Sequence, residues 1–200
     1  DAGLAPLLEH ARSGRGAVIA IPHMGNWDLG AMTCHLWGLP IFSISGKQSN
    51  PLVDAYLQEQ RRKPGIQTVV RGTGTMRAVI SRLRAAQMLA IMPDVRVRTE
   101  AITVRFLGGE ANIGGGMALF ARQTGVPIFP CHIERHGWSR QCYFVGDPIW
   151  PDATRPKAED AERMTQAVFD CLERCIRKDP AQWFWYNKRW ILDPVSSSED

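Results

Sequence analysis

Two hundred residues, 44% hydrophobic, 22% charged and 8% aromatic, are enough to bury one sizeable core; they favour a single domain over residues 1–200 and exclude disorder and collagen-like repeats. The longest apolar runs, at residues 17–21 and 88–92, fall far short of the roughly 20 residues that cross a bilayer, and the opening residues carry no secretory leader pattern. Lys and Arg number 24 against 20 Asp and Glu, and the resulting +4 suits an anionic partner: nucleic acid, phospholipid or a phosphorylated substrate.

In chain order, a helical spacing over residues 4–12 precedes a short apolar run at 17–21, too short for a helix and bounded like a buried strand. Further strands are predicted at 40–44, 66–70, 88–92, 101–106, 126–133 and 141–145. Helices are predicted at 27–37, 51–62, 75–86, 116–124 and 157–177. Asn50-Pro51 reads as an N-cap followed by Pro at the first helical position, and Gly125 as a helix stop. Gly108, Gly109 and Gly114 to Gly116 suggest one special loop. Alternation of strand and helix predicts an α/β fold with a largely parallel central sheet flanked by helices. The five cysteines are odd in number and lack a CxxC pair, which favours reduced thiols. Cys131, His132, His136 and Cys142 match no structural zinc spacing, so no metal site is expected.

The first strand ends in Pro22-His23-Met24-Gly25-Asn26-Trp27-Asp28 and runs into a helix, the place where open α/β sheets put their chemistry. A turn at Gly25-Asn26 followed by a helical turn brings Asp28 back toward His23, which predicts His23 as general base with Asp28 orienting it. N–H groups of Gly25, Asn26 and Trp27 are candidate donors to an oxyanion or phosphate. The spacing alone is weak evidence, and a capped loop bearing a surface His is the structural alternative.

From His23 to Asp28 the chain resembles the His-x4-Asp/Glu motif of the lysophospholipid acyltransferase superfamily. Further blocks follow in the same order: Lys47-Gln48-Ser49-Asn50-Pro51, Arg61-Arg62-Lys63, Arg71-Gly72, Met92-Pro93-Asp94, Phe106-Leu107-Gly108-Gly109 before Gly114 to Gly116, Ala121-Arg122-Gln123-Thr124-Gly125, Pro180-Ala181-Gln182-Trp183-Phe184-Trp185 and Lys188-Arg189-Trp190. Together they run over residues 16–192 and resemble the late acyltransferases of lipid A biosynthesis; phosphatidylinositol mannoside acyltransferases share the same blocks.

The resemblance implies a glycerolipid acyltransferase-like fold and a second acidic site residue at Asp94, for which capping of the turn after Pro93 is the alternative. It implies substrate contacts at Gly25, Asn26, Lys47, Arg61, Arg71, Gly72, Gly114 and Gly115. For Arg61 a solvated helix end that complements the dipole is an equal reading, and Gly114 and Gly115 read equally well as a helix cap. Gly109-Glu110 departs from relatives, which more often carry a basic residue and Pro. The donor implied is an acyl carrier protein or coenzyme A thioester, used as substrate with no cofactor, and the acceptor a hydroxyl of a glycolipid such as a lipid A precursor. The implied location is the cytoplasmic face of the bacterial inner membrane, held peripherally or by an N-terminal segment absent here. Trp183, Phe184, Trp185, Tyr186 and Trp190 with Lys188 and Arg189 suit a membrane interface or core packing. No nucleic-acid motif accompanies them. The rival functions are a phosphatidylinositol mannoside or glycerophospholipid acyltransferase, a thioesterase, and a catalytically silent membrane-surface module.

Overall fold

The computed structural model describes residues 2–46, 49–62, 65–97, 101–185 and 191–192. A short 3-10 turn leads into α1 (Ala5–Arg12), then β1 (Ala17–Ala20), α2 (Trp27–Leu36), β2 (Ile41–Ser45), α3 (Pro51–Arg62), β3 (Gln67–Val70), α4 (Thr75–Arg84) and β4 (Met88–Ile91). After them come β5 (Ile102–Phe106), β6 (Gly109–Ile113), α5 (Gly116–Thr124), β7 (Ile128–His136), β8 (Arg140–Val145), α6 (Lys157–Lys178) and a second 3-10 turn, Pro180–Gln182.

Six strands form one sheet in the order β3-β2-β4-β1-β7-β8. All its pairings are parallel except β7 with β8, the antiparallel edge. β1 lies between β4 and β7, and its four residues are all buried. An unbroken Ala-Val-Ile-Ala run fits a strand covered on both faces, because each alternate side chain meets a different layer. Val18 and Ala20 join the core built with α4, α5 and α6. Ala17 and Ile19 join the one built with α1 and with Ala31 and Cys34 of α2. The long α6 contributes a stripe from Met164 through Val168, Phe169 and Leu172 to Ile176.

Local signals explain several boundaries. The Asn50 side chain accepts from the N–H of Leu52 at 2.9 Å, so it caps α3 as its sequence predicts. Gly125 closes α5 in the left-handed region at φ 69°. At the start of α6, the fully buried Asp160 receives Arg163 Nη2 at 2.7 Å, the Asp152 N–H at 3.0 Å and the Arg122 guanidinium, which ties α6 to α5 and the loop before it.

One element departs from the sequence reading. The strand predicted at 101–106 lies outside the main sheet, and residues 109–113, read as part of a glycine loop, form β6, which pairs with it antiparallel. The turn residues Leu107 and Gly108 both have positive φ, 51° and 86°, as a two-residue hairpin with this twist requires. Glycine's low strand propensity hid β6, yet burial of Val104, Phe106, Ala111 and Ile113 gives the hairpin a packed face. Among the described residues, no helix is long and apolar enough to cross a membrane.

Candidate active site

β1 and β4 are direct neighbours, and the pairing continues past their ends, where the Ile21 N–H donates to Ile91 O at 3.0 Å. Each chain then leaves the sheet at the same edge, carrying His23 and Asp94 with it. The outcome is a doubly anchored pair: Asp94 Oδ1 accepts from His23 Nδ1 at 2.7 Å, and Oδ2 accepts from the His23 backbone N–H, also at 2.7 Å. Asp94 is buried, whereas the imidazole is 24% exposed. With Nδ1 donating to the carboxylate, Nε2 presents its lone pair outward. The sequence expectation of Asp94 near His23 thus corresponds to direct contact.

Asp28 does not make the orienting contact that the motif spacing predicts. It is exposed, and among the described residues it forms neither a hydrogen bond nor an ion pair. The reason lies in the helix: α2 begins at Trp27, and the residue of its first turn that returns to the imidazole is Trp27, whose ring meets that of His23 edge-on at 5.2 Å. Asp28 follows on another face and lines a cleft beside the loop.

Asn26 and Gly25 are used structurally. The Asn26 side chain caps α2 by accepting from the Leu29 N–H at 3.0 Å. Gly25 sits at φ 63°, and a Cβ there would lie 2.4 Å from the carbonyl oxygen of Ile133, so backbone passes where a side chain would be. Its N–H donates to Gln182 O at 3.1 Å. Gly25 is therefore not a free oxyanion donor, contrary to the sequence expectation, which leaves the N–H groups of Asn26, Trp27 and Asp28.

Residues 182–184, of which the sequence left Trp183 and Phe184 divided between core and membrane interface, form a strap across the site. Met24 and Trp183 make an antiparallel bridge, and the Phe184 N–H donates to His23 O at 2.8 Å. The Trp183 indole, almost fully buried, donates through Nε1 to Asp94 Oδ2 at 2.9 Å. Gln182 holds the strap to β7 by accepting from the Arg135 N–H at 2.6 Å and donating to Arg135 O at 3.1 Å. Just before the strap, Lys178 Nζ donates to Glu134 Oε1 at 2.8 Å, and the ring nitrogens of His132 and His136 each lie 3.2 Å from the same carboxylate. Burial acts to raise the Glu134 pKa, but bonds from Lys178 and His132 outweigh it and hold the carboxyl below its ordinary value. Phe184 and Trp185 remain well exposed beside the His23 loop. The sequence signals for the strap were the aromatic run Trp183-Phe184-Trp185 and the family-like block from Pro180 to Trp185 that contains it.

Of the remaining predicted contacts, Arg71 and Gly72 lie away from His23. Arg71 and Gly72 follow β3, three strands from β1, a separation of about 14 Å at ordinary strand spacing. Both are exposed; Arg71 donates its N–H to Ser45 O and Gly72 to Thr75 Oγ1. Gly114 and Gly115 precede α5 and flank the loop after Asp94, where Arg96 bridges to Ile113 and Val97 exchanges hydrogen bonds with Asn112. Lys47, Lys188, Arg189 and the side chain of Arg61 lie outside the described residues.

Chemically, a buried carboxylate on Nδ1 and an outward Nε2 make a base for a hydroxyl or water proton, with the resulting imidazolium stabilised by Asp94. Comparison with known proteins finds acyltransferases. At 28% identity over 190 residues, the chain resembles a phosphatidylinositol mannoside acyltransferase of Mycolicibacterium smegmatis, covering 90% of this chain and 59% of that protein. It is 26% identical to the Mycobacterium tuberculosis protein of the same description, over 96% and 60%, and 24% identical to a lipid A biosynthesis acyltransferase of Haemophilus influenzae, over 92% and 56%. The chain spans about three fifths of the length of these curated relatives. The sequence profile of one family, described as bacterial lipid A biosynthesis acyltransferase, matches residues 2–191, and the chain belongs to that family.

Proposed function

We propose that this chain carries the catalytic region of an O-acyltransferase that moves a fatty acyl group from an acyl carrier protein or coenzyme A thioester to a hydroxyl of a lipid A precursor. The observation that supports it most is the His23–Asp94 pair, held at 2.7 Å through both carboxylate oxygens with Nε2 open. His23 Nε2 takes the proton from the acceptor hydroxyl as its oxygen attacks the thioester carbonyl. That attack forms the new carbon–oxygen bond, and the tetrahedral oxyanion then collapses to the ester, breaking the carbon–sulfur bond. The departing thiolate takes the proton back from the imidazolium. Asp94 keeps the imidazole in the Nδ1–H tautomer and stabilises its charged form, and Trp183 fixes Asp94. The N–H groups of Asn26, Trp27 and Asp28 at the N-terminus of α2 are backbone donors near the base for the oxyanion.

Exposed Phe184 and Trp185 beside the His23 loop suit contact with the cytoplasmic face of the inner membrane, where an acyl donor in water meets a lipid acceptor. A phosphatidylinositol mannoside acceptor is the second reading, favoured by the names of the mycobacterial relatives. The test is to incubate the full-length protein with acyl carrier protein and coenzyme A thioesters plus either acceptor, and to weigh the lipid by mass spectrometry. Acyl gain should fall by about 10²-fold to 10⁴-fold in His23→Ala. Release of free fatty acid alone, dependent on His23, would replace the transferase by a thioesterase. A folded full-length protein inert toward both acceptors and both donors would refute the enzyme reading in favour of a binding module.

A further inference from the structure

The face of the β7–β8 hairpin that meets α6 carries a cluster the acyl-transfer chemistry does not use. Residues opposite each other in a hairpin share a face, so Arg140 stands with His136 and Phe144 with His132, and the bond from Lys178 to Glu134 marks that face as the one turned to α6. Between hairpin and helix lies a cavity of about 300 Å³, lined by Arg174, Lys178, His132 and Phe144 among others, and by no carboxylate. Glu134, the acid of this face, is buried beneath Lys178 and two histidines. Glu173 and Asp170 turn to the other flank of α6, where they accept from the Leu107 N–H and from Gln166. Folding alone gives little reason for this separation of charge. Arg174 and Lys178 stand four residues apart on one helix face, where like charges repel. Arg174 and Arg140 are exposed and form no ion pair among the described residues; the guanidinium of Arg174 donates to the Cys171 sulfur at 3.0 Å, a weak acceptor. Phe144 stays exposed between the cations.

Resting on the acyl-transfer reading of the His23 site, we infer that this groove is the docking surface for an acidic carrier protein that delivers the acyl thioester. Carboxylates of the carrier pair with Arg140 and Arg174, and an apolar side chain of it covers Phe144. The strip suits a protein better than a single phosphate, because Arg140 and Phe144 are four residues apart on β8, about 13 Å at ordinary strand rise. It also suits a protein better than a bilayer. The strip runs along β8 and α6, down the flank of the sheet, whereas exposed Phe184 and Trp185 stand beside the His23 loop at the strand ends. A bilayer laid on those two rings meets the edge and leaves the flank to water. The path to the base is short: Lys178 bonds Glu134, and the carbonyl of neighbouring Ile133 packs against Gly25 of the His23 loop. A carrier seated on the flank needs only its flexible phosphopantetheine arm to bring the thioester to Nε2.

The test measures donor KM at saturating acceptor with the full-length protein, using acyl carrier protein, coenzyme A and pantetheine thioesters of one acyl chain. Arg140→Glu and Arg174→Glu are compared with Arg84→Glu, an equal change of charge at the exposed end of α4, after circular dichroism shows each folded; Gln replaces Glu where reversal prevents folding. Each groove variant should raise the carrier-protein KM about tenfold, with kcat and the pantetheine KM within about twofold of wild type and Arg84→Glu unchanged. Added salt should raise the wild-type carrier-protein KM and shrink that difference. Equal rises for carrier protein and coenzyme A would make the groove a phosphate site, and equal rises for all three donors would mean that it acts through the strap; either overturns the inference. So does a wild-type carrier-protein KM in both groove variants, a loss of anionic-vesicle binding with that KM unmoved, or an Arg84→Glu effect that matches theirs. Transfer by the wild type from the small thioesters and not from carrier protein overturns it as well. Should the wild type transfer from no donor, the acyl-transfer reading fails separately, and fluorescence anisotropy with labelled acyl carrier protein decides the surface: binding weakened about tenfold by Arg140→Glu supports it, and no binding to the wild type overturns it.

Discussion

Replacing Trp183 by Phe removes the indole N–H and leaves a small void where the larger buried ring stood in the wall of the site. Asp94 Oδ2 loses the indole donor at 2.9 Å and keeps the His23 backbone N–H at 2.7 Å, so the carboxylate retains one anchor of two on that oxygen. The ring's edge contacts, with Phe106 at 6.0 Å and Trp185 at 4.9 Å, stay largely available to a phenyl group. A hydrogen bond to a buried charged group is worth about 1.5–3 kcal/mol. If about 2 kcal/mol of it goes into holding Asp94 in line with Nδ1 as the imidazolium forms, kcat falls roughly 30-fold. A bond that served packing alone would instead lower the unfolding midpoint by about 4–8 °C in a domain of this size. The assay is single-turnover acyl transfer plus thermal melts, in Trp183→Phe, Asp94→Asn and the double variant. Because Trp183 works through Asp94, its substitution should cost little further activity once Asp94 is Asn, a coupling that independent residues do not show. Additive losses, or a kcat within twofold of wild type, would refute the positioning role.

Two further substitutions probe the frame. Gly25→Ala forces an L side chain to φ 63° with its Cβ 2.4 Å from Ile133 O; stability in urea should fall by about 2 kcal/mol or more, and activity should fall with it because His23 is two residues away. Asp160→Ala strips Arg122 and Arg163 of a fully buried partner and should cost about 3–5 kcal/mol near pH 7. Burial acts to raise the Asp160 pKa, but bonds from Arg163, the Asp152 N–H and Arg122 outweigh it and lower it. A depressed carboxylate pKa contributes stability that is complete above the unfolded value of about 3.9 and is lost as pH falls through the folded value. The difference in urea midpoint between wild type and Asp160→Ala should therefore hold from pH 7 to 5 and narrow below about pH 3.9.

Much of the frame is local and so legible in sequence. The Ala-Val-Ile-Ala run, the Asn50-Pro51 cap and the Gly125 stop act within a few residues of themselves, and each element they mark is present. The site is different, because strand order builds it. Nothing in the segments around residues 20 and 91 says that β4 lies next to β1 while β2 and β3 lie farther out, and that order alone decides that Asp94 meets His23 and Arg71 does not. The spacing from His23 to Asp28 allowed a contact, but the first turn of α2 gave the neighbouring place to Trp27. Trp183, 89 residues beyond Asp94, was visible as part of an aromatic cluster and of a family-like block, but neither names Asp94 as its partner.

The strap makes the base depend on chain far from it. Trp183 on Oδ2 helps keep Asp94 in line with the imidazole, and Trp183 is held by the bridge to Met24 and by the pairing of Gln182 with Arg135. Those contacts depend on the end of α6, which Lys178 anchors to Glu134 on β7. Removing the Gln182 side chain therefore tests a longer chain of cause than removing Trp183 itself. In Gln182→Ala the two hydrogen bonds to the β7 backbone and the one to Asp179 disappear, while the backbone bonds of Gly25 and Phe184 remain. The strap should loosen before it detaches. Amide exchange at Phe184 should then quicken while exchange in β1 stays slow, and kcat should fall by less than in Trp183→Phe. If exchange at Phe184 and in β1 quickened together, the strap would not open as a local unit, and the dependence of His23 on it would reduce to the stability of the whole sheet.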